Sequence, residues 1–278
     1  MPATRCFVIG NPIRHSRSPV IHGHWLAEHG IDGSYERIQV APEHVPAFLD
    51  RLRAGEFAGG NVTVPNKEVV MPLLDSVSDT ARRIGAVNTL WVADGRLHGD
   101  NTDAYGFLAH LDASAPGWDG RVRSALVLGA GGAAKAVAHG LAARGLERIV
   151  IVNRGPERAI ELAAAVGPAA EARPLAEAAA LVGESGLIVN TTSLGMRGQP
   201  PLELDLAALV PGRIVYDIVY VPLETQLLAQ ARALGGVPVD GLGMLLHQAV
   251  PGFARWFGVR PAVTPALRAL LEADLPRS

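Results

Sequence analysis

The chain has 278 residues, 49% of them hydrophobic and 19% charged, and its 27 acidic and 25 basic side chains leave a formal net charge of −2. At ~150 residues per domain that length gives roughly two domains, each large enough for its own core. The charge balance excludes a nucleic-acid scaffold, no apolar run approaches the ~20 residues that span a bilayer, no signal pattern opens the chain, and a lone Cys6 excludes an internal disulfide, so a cytoplasmic globular protein is expected.

Arg5–Gly10 reads as a short apolar strand. Ser18-Pro19 opens a helix, with Ser18 as N-cap and Pro19 at the first helical position, that stops at His29-Gly30. Gly33–Val40 is a strand, Glu43–Arg53 an amphipathic helix ended by Gly55, and Gly60–Val64 a strand closed by Pro65. Helical stretches around Glu68–Leu74 and Ser78–Ile84 precede a hairpin, Ala86–Val92 and Arg96–His98 about the turn Asp94-Gly95. Helix Asp103–Leu111 leads to the turn cluster Pro116–Gly120, a candidate linker. Beyond it come strand Ala125–Leu128, helix Ala133–Arg144, strand Arg148–Val152 and helix Glu157–Val166. Later strands are Leu187–Asn190, Arg213–Asp217 and Val237–Val239, with helices Thr225–Leu234, Leu245–Phe257 and Ala266–Ala273. Strands alternating with helices imply a parallel sheet with helical crossovers.

The segment Ser124–Ala134, SALVLGAGGAA, sets a strand, then Gly129-x-Gly131-x-x-Ala134, then a helix. Gly129 permits the tight turn, Gly131 lets backbone approach a pyrophosphate, and Ala134 permits close helix–strand packing, with the helix N-terminus facing phosphate. At the end of the following strand an NAD site carries Asp or Glu for the ribose 2′-hydroxyl. Here Asn153-Arg154-Gly155-Pro156-Glu157-Arg158 offers an amide for the ribose and two guanidiniums for a 2′-phosphate, which favours NADP. No Cys/His cluster has metal-ligand spacing, and His22-x-His24 does not place both rings on one helix face.

Of the basic residues only Lys67 and Lys135 are lysines; the others are arginines, which stay protonated and cannot exchange a proton as a lysine can. Lys67 falls in one of four polar segments at strand ends of the N-terminal half, GNPIRHSRSP from Gly10, NVTVPNK from Asn61, GAVNT from Gly85 and GDNTD from Gly99. Hydroxyl, amide, ammonium and carboxylate groups gathered at carboxyl ends of strands suit a small polyhydroxylated acid. Those four segments, followed in order by GAGGAAKA, NTTSLGM, YDIVY and DGLGMLLHQA, resemble the shikimate dehydrogenase family from Gly10 to beyond Gln248.

That resemblance implies a two-domain α/β fold: an N-terminal open α/β substrate domain, residues 1–108 completed by 245–278, and a Rossmann-type doubly wound NADP-binding domain, 109–244, with the active site in the cleft. It implies reduction of 3-dehydroshikimate to shikimate with NADPH at the C3 carbonyl. Lys67 and Asp103 would be the catalytic pair, Ser16 and Ser18 would bind the substrate carboxylate, and Thr63, Asn88, Asp103, Tyr220 and Gln248 the ring hydroxyls. On the cofactor side it points to Gly129, Ala130, Gly131, Gly132 and Ala133 for pyrophosphate and to Asn153, Arg154 and Arg158 for the adenosine 2′-phosphate. Ile218, Gly241 and Met244 would lie near the nicotinamide, and Asp79 is a weaker family contact. Gly155 departs from the family's usual Asn-Arg-Thr and removes one hydroxyl contact to the phosphate. The family includes many homodimers, and the residues themselves do not fix the oligomeric state. A quinate or aminoshikimate dehydrogenase relative shares most of these motifs; a non-catalytic NADP-sensing module would not need the full substrate set; a methylene-folate dehydrogenase type would need a pteridine slot in place of the paired serines.

Overall fold

A computed structural model describes residues 3–276. The described chain forms two compact units, one from residues 3–102 with Leu246–Asp274, the other from Asp103–Leu245 with residues 275–276.

In the first unit β1 (Thr4–Gly10), α1 (Ser18–Glu28), β2 (Gly33–Gln39), α2 (Val45–Arg53), β3 (Gly59–Val62), α3 (Asn66–Val69), β4 (Ser76–Val77), α4 (Asp79–Ile84), β5 (Thr89–Ala93) and β6 (Arg96–Asp100) follow in order. The strands lie β2-β1-β3-β5-β6-β4. β1 runs parallel to β2 and β3, whereas β5 is antiparallel to both β3 and β6. The antiparallel β5–β6 pair is the hairpin expected about Asp94-Gly95. Asp94 (φ 52) and Gly95 (φ 70) are both left-handed, the conformation of a two-residue hairpin turn, and such a turn joins only antiparallel strands.

The second unit contains α5 (Asp103–Ser114), β7 (Ser124–Leu128), α6 (Gly132–Ala143), β8 (Arg148–Asn153), α7 (Pro156–Val166), β9 (Ala170–Pro174), α8 (Ala178–Leu181), β10 (Leu187–Asn190), β11 (Ile214–Asp217), α9 (Gln226–Ala233) and β12 (Val237–Val239). Its sheet is all parallel in the order β12-β11-β10-β7-β8-β9: a βαβαβ half runs outward from β7, and β10, β11, α9 and β12 form the other half, in which β10 and β11 are joined without a helix. Alternation along the strands builds a core on each face: Ala125, Val127, Ile149, Ile151, Leu187 and Val189 pack on one side, Leu126, Leu128, Val150, Val152 and Ile188 on the other. Two helices complete the chain, α10 (Leu242–Phe257) and α11 (Pro265–Asp274), and the division between the units falls within α10.

Two boundaries differ from the sequence reading. The first division falls before α5, because α5 packs on α6, with Leu108 against Gly140. α1 begins at Ser18 itself with Arg17 as N-cap, so the Ser18 hydroxyl caps nothing. Among the described residues no helix is long and apolar enough to cross a membrane.

Candidate active site

In the second unit the carboxyl ends of β7, β8 and β10 open onto a cavity of about 840 Å³, lined by Gly129, Asn153, Arg154, Thr192, Ser193 and Leu194 among others. Gly129 has φ +111, and a Cβ there would stand 2.6 Å from Thr191 Oγ1, so this turn admits only glycine. The Gly129 N–H donates to the Val152 carbonyl at 2.8 Å, and the Thr191 hydroxyl donates to the Leu128 carbonyl at 2.6 Å, which lock the turn between β8 and β10. A Cβ at Gly131 or Gly132 would meet nothing within 4 Å: the backbone at the head of α6 faces open space, with the first N–H groups of a 12-residue helix behind it. A cavity at strand ends, a glycine turn and an open helix N-terminus fit the pyrophosphate and adenosine of a dinucleotide. Gly129, Asn153 and Arg154 are thus brought together; Arg158, exposed on α7, does not line the cavity. The Asn153 amide donates to the Gly155 carbonyl at 2.9 Å.

Ile218 and Gly241 meet directly. A Cβ on Gly241 would fall 2.0 Å from the Ile218 carbonyl oxygen, and Ile218 and Met244 both pack against the same core. Tyr220 is half-buried in the turn after β11, and Asp103 is half-buried as the first residue of α5. The turn is held by Asp217. Its buried carboxylate accepts from Asn190 Nδ2 at 2.9 Å, the Val219 N–H at 3.0 Å and the Thr225 hydroxyl at 2.8 Å. Burial pushes the Asp217 carboxyl up from its ordinary value in spite of those three donors.

In the first unit the loop after β1 and the loop after β3 approach closely: a Cβ at Gly10 would stand 2.5 Å from Thr63 Cγ2, and the Asn11 N–H donates to the Val64 carbonyl at 3.1 Å. Ser16 Oγ lies 3.3 Å from Ser18 Oγ, and Arg37 Nε holds the Ser16 carbonyl at 2.7 Å. Lys67 is half-buried on α3, its carbonyl receiving the Val87 N–H at 2.9 Å. Asn88, 2% exposed, begins the run into β5, and its backbone carbonyl pairs with the Val62 N–H at 2.8 Å. Gln248 is half-buried on α10. Asp79 is exposed at the head of α4, paired with Arg82 at 3.0 Å. Among the described residues no group of three or more His, Cys, Asp or Glu is placed to hold a metal.

Family models match along the chain: a shikimate dehydrogenase substrate binding domain over residues 8–90, a shikimate/quinate 5-dehydrogenase over 116–195 and a shikimate 5′-dehydrogenase C-terminal domain over 241–271. The shikimate dehydrogenase (NADP(+)) of Methylobacterium radiotolerans is 58% identical over 274 residues, 98% of this chain and 97% of that protein. The chain belongs to the shikimate dehydrogenase family. Among solved structures, shikimate 5-dehydrogenase from Thermus thermophilus in complex with NADP(H) and shikimate superposes with a TM-score of 0.87 at 39% identity, covering 98% of this chain and 100% of that one. Quinate dehydrogenase from Corynebacterium glutamicum in complex with NAD does so with a TM-score of 0.89 at 31% identity, covering 98% and 99%. The family's two-domain α/β architecture is the one described above. Thr192, Ser193 and Leu194 are residues that sequence reasoning did not assign; their motif was visible, but only the pairing of β10 beside β7 puts them at the cavity.

Proposed function

We infer that Lys67 and Asp103 form the acid–base pair of this NADP-dependent shikimate dehydrogenase. The reaction is NADPH + H⁺ + 3-dehydroshikimate ⇌ NADP⁺ + shikimate, an oxidoreductase step at the C3 carbonyl. The observation that carries the reading is the near-full-length likeness to shikimate dehydrogenase (NADP(+)), with every motif of the substrate set retained. When bound, the nicotinamide supplies the hydride. Negative charge then grows on the carbonyl oxygen, which needs a proton donor within hydrogen-bond reach. Lys67 gives that proton and, in the oxidation direction, takes the hydroxyl proton back as the free amine; Asp103 orients the ammonium. Ser16 and Ser18 receive the carboxylate, while Thr63, Asn88, Tyr220 and Gln248 bind the ring hydroxyls. Gly129 to Ala133 hold pyrophosphate, Asn153, Arg154 and Arg158 the adenosine 2′-phosphate, and Ile218, Gly241 and Met244 border the nicotinamide.

A spectrophotometric assay of nicotinamide reduction tests this, with shikimate or quinate crossed against NADP or NAD. Turnover should be highest with shikimate and NADP. The quinate and NAD arms matter because a quinate dehydrogenase with NAD is a structural neighbour and Gly155 lacks the family's hydroxyl. Lys67→Ala should fold and bind NADP while kcat falls by about 10²–10⁴-fold, the usual size of general acid–base help. An unchanged kcat would reject Lys67. A cytoplasmic location belongs to the same reading. A homodimer is the further expectation, and sedimentation of the purified chain decides it.

A further inference from the structure

One side chain of the first unit bears on Asn88, to which the proposed function gives the ring hydroxyls. Asn61 lies on β3, 5% exposed, among side chains that carry no charge. Its Oδ1 accepts the Tyr35 hydroxyl at 2.5 Å. Its Nδ2 donates to the Asn88 backbone carbonyl at 3.0 Å and to Thr89 Oγ1 at 3.3 Å. The Thr89 hydroxyl donates onward to Asn88 Oδ1 at 2.8 Å, and the same oxygen accepts the Thr102 N–H at 2.9 Å. At the other end, Tyr35 is fixed by the His22 ring stacked on it at 4.0 Å.

Counting donors gives the chain a direction. A threonine hydroxyl has one proton; with that proton on Asn88 Oδ1, Thr89 must accept from Asn61. The Thr102 hydroxyl also donates to Asn88 Oδ1, at 3.2 Å; with that oxygen surrounded by donors the amide cannot flip, and its N–H end faces away from Thr89 and Thr102. Only asparagine does this at position 61. Aspartate would lack the two donated bonds and bury a charge, glutamine would be a methylene too long, and alanine would strand the Tyr35 hydroxyl in the interior.

We propose that Asn61 is a positioning residue that fixes Asn88 as a hydrogen-bond donor to substrate. The proposal rests on the shikimate reading above. Its test is steady-state kinetics of the full chain with shikimate and NADP for Asn61→Ala, Asn88→Ala and the double variant. Each single substitution should raise the shikimate KM about tenfold, the size of a lost buried hydrogen bond, while kcat falls less than about threefold and the KM for NADP stays within about twofold. Because Asn61 acts through Asn88, the double variant should be no worse than Asn88→Ala alone. Multiplying effects in the double variant, or an equal loss of NADP binding, would mean a merely structural role and overturn the proposal. Should Asn61→Ala not fold, Thr89→Val breaks the same relay with little change of shape: a raised shikimate KM that vanishes in the Asn88→Ala background supports the proposal, and an unmoved KM overturns it. No turnover by the unsubstituted chain would sink the shikimate reading and this one with it; turnover by that chain with an unmoved Asn61→Ala sinks the positioning role alone.

Discussion

His22 is fully buried among rings, stacked on Tyr35 at 4.0 Å and flanked by Trp25, Phe253 and Trp256, and neither ring nitrogen has a hydrogen-bond partner. Burial pushes its pKa down to about 3; Asn61 is near enough to oppose this slightly, but not to form a hydrogen bond. Its one titratable ring neighbour, Tyr35, is itself kept neutral by burial. The unfolded chain therefore binds a proton near pH 6.5 that the folded chain refuses until about pH 3. The associated stability is whole above pH 6.5 and is lost as pH falls through that window, by ~1.4 kcal/mol per unit at full slope. Urea unfolding of His22→Leu should accordingly lose about 2 kcal/mol less than the unsubstituted chain between pH 7 and pH 5, and equal losses would contradict the account. Gly155 carries a second prediction at this scale. It has φ −96 and ψ 109, open to any residue, and a Cβ would sit 3.8 Å from both Asn153 Nδ2 and Glu157 Oε2. Gly155→Thr fits without strain and restores a hydroxyl, so calorimetric titration should find NADP bound several-fold more tightly and NAD unchanged. Parallel changes for both cofactors would remove residue 155 from the discrimination.

At the scale of elements, the second unit was legible because its central strands are buried on both faces and read as unbroken apolar runs between glycine turns. β4 and β9 were missed: one has two residues, and the other, Ala170–Pro174, is a half-exposed edge strand carrying Glu171 and Arg173. The hairpin of the first sheet was legible at Asp94-Gly95, whose turn chemistry permits only an antiparallel pair. What no pattern revealed is how strand ends are tied together, and Asp217 is the clearest case. It joins the ends of β10 and β11 to Thr225, whose hydroxyl caps α9 by accepting the Leu228 N–H at 3.3 Å. Asp217→Asn should destabilise by about 1–3 kcal/mol: its carbonyl oxygen can serve Asn190 and Val219, but its N–H group then faces Thr225, whose buried hydroxyl proton loses its acceptor. The pH dependence has the opposite sign to that of His22. The folded carboxyl holds its proton to higher pH than the unfolded one, so its contribution declines as pH rises from about 3.8 through the raised folded value. The melting-temperature gap between the two proteins should therefore be wider at pH 4 than at pH 7; a gap that widens toward pH 7 would show the carboxylate to be stabilised by its donors beyond the cost of burial.

For the molecule as a whole, the sequence made the reaction readable but not its supports. Segments from Gly10 to Gln248 carried the family likeness because chemistry restricts the residues that touch substrate and cofactor. Asn61, inside an ordinary strand pattern, gave no sign of its three partners, which lie 26 or more positions away. The same scale separates the nucleotide from the substrate carboxylate. The residues assigned to NADP from Gly129 to Met244 belong to the second unit, with Asp103 and Tyr220 of the substrate set, whereas Ser16 and Ser18, assigned to the substrate carboxylate, belong to the first, each unit with its own core. A ligand that binds only the folded state stabilises it by ~2.7 kcal/mol at a hundred times its Kd. NADP at that excess should raise the urea midpoint of the unsubstituted chain and of Ser18→Ala alike. Gly129→Ala should lose the shift, because its Cβ would press on Thr191 Oγ1 in a left-handed turn and deform the cradle under the pyrophosphate. A shift that survived in Gly129→Ala, or that Ser18→Ala abolished, would locate the nucleotide elsewhere in the chain.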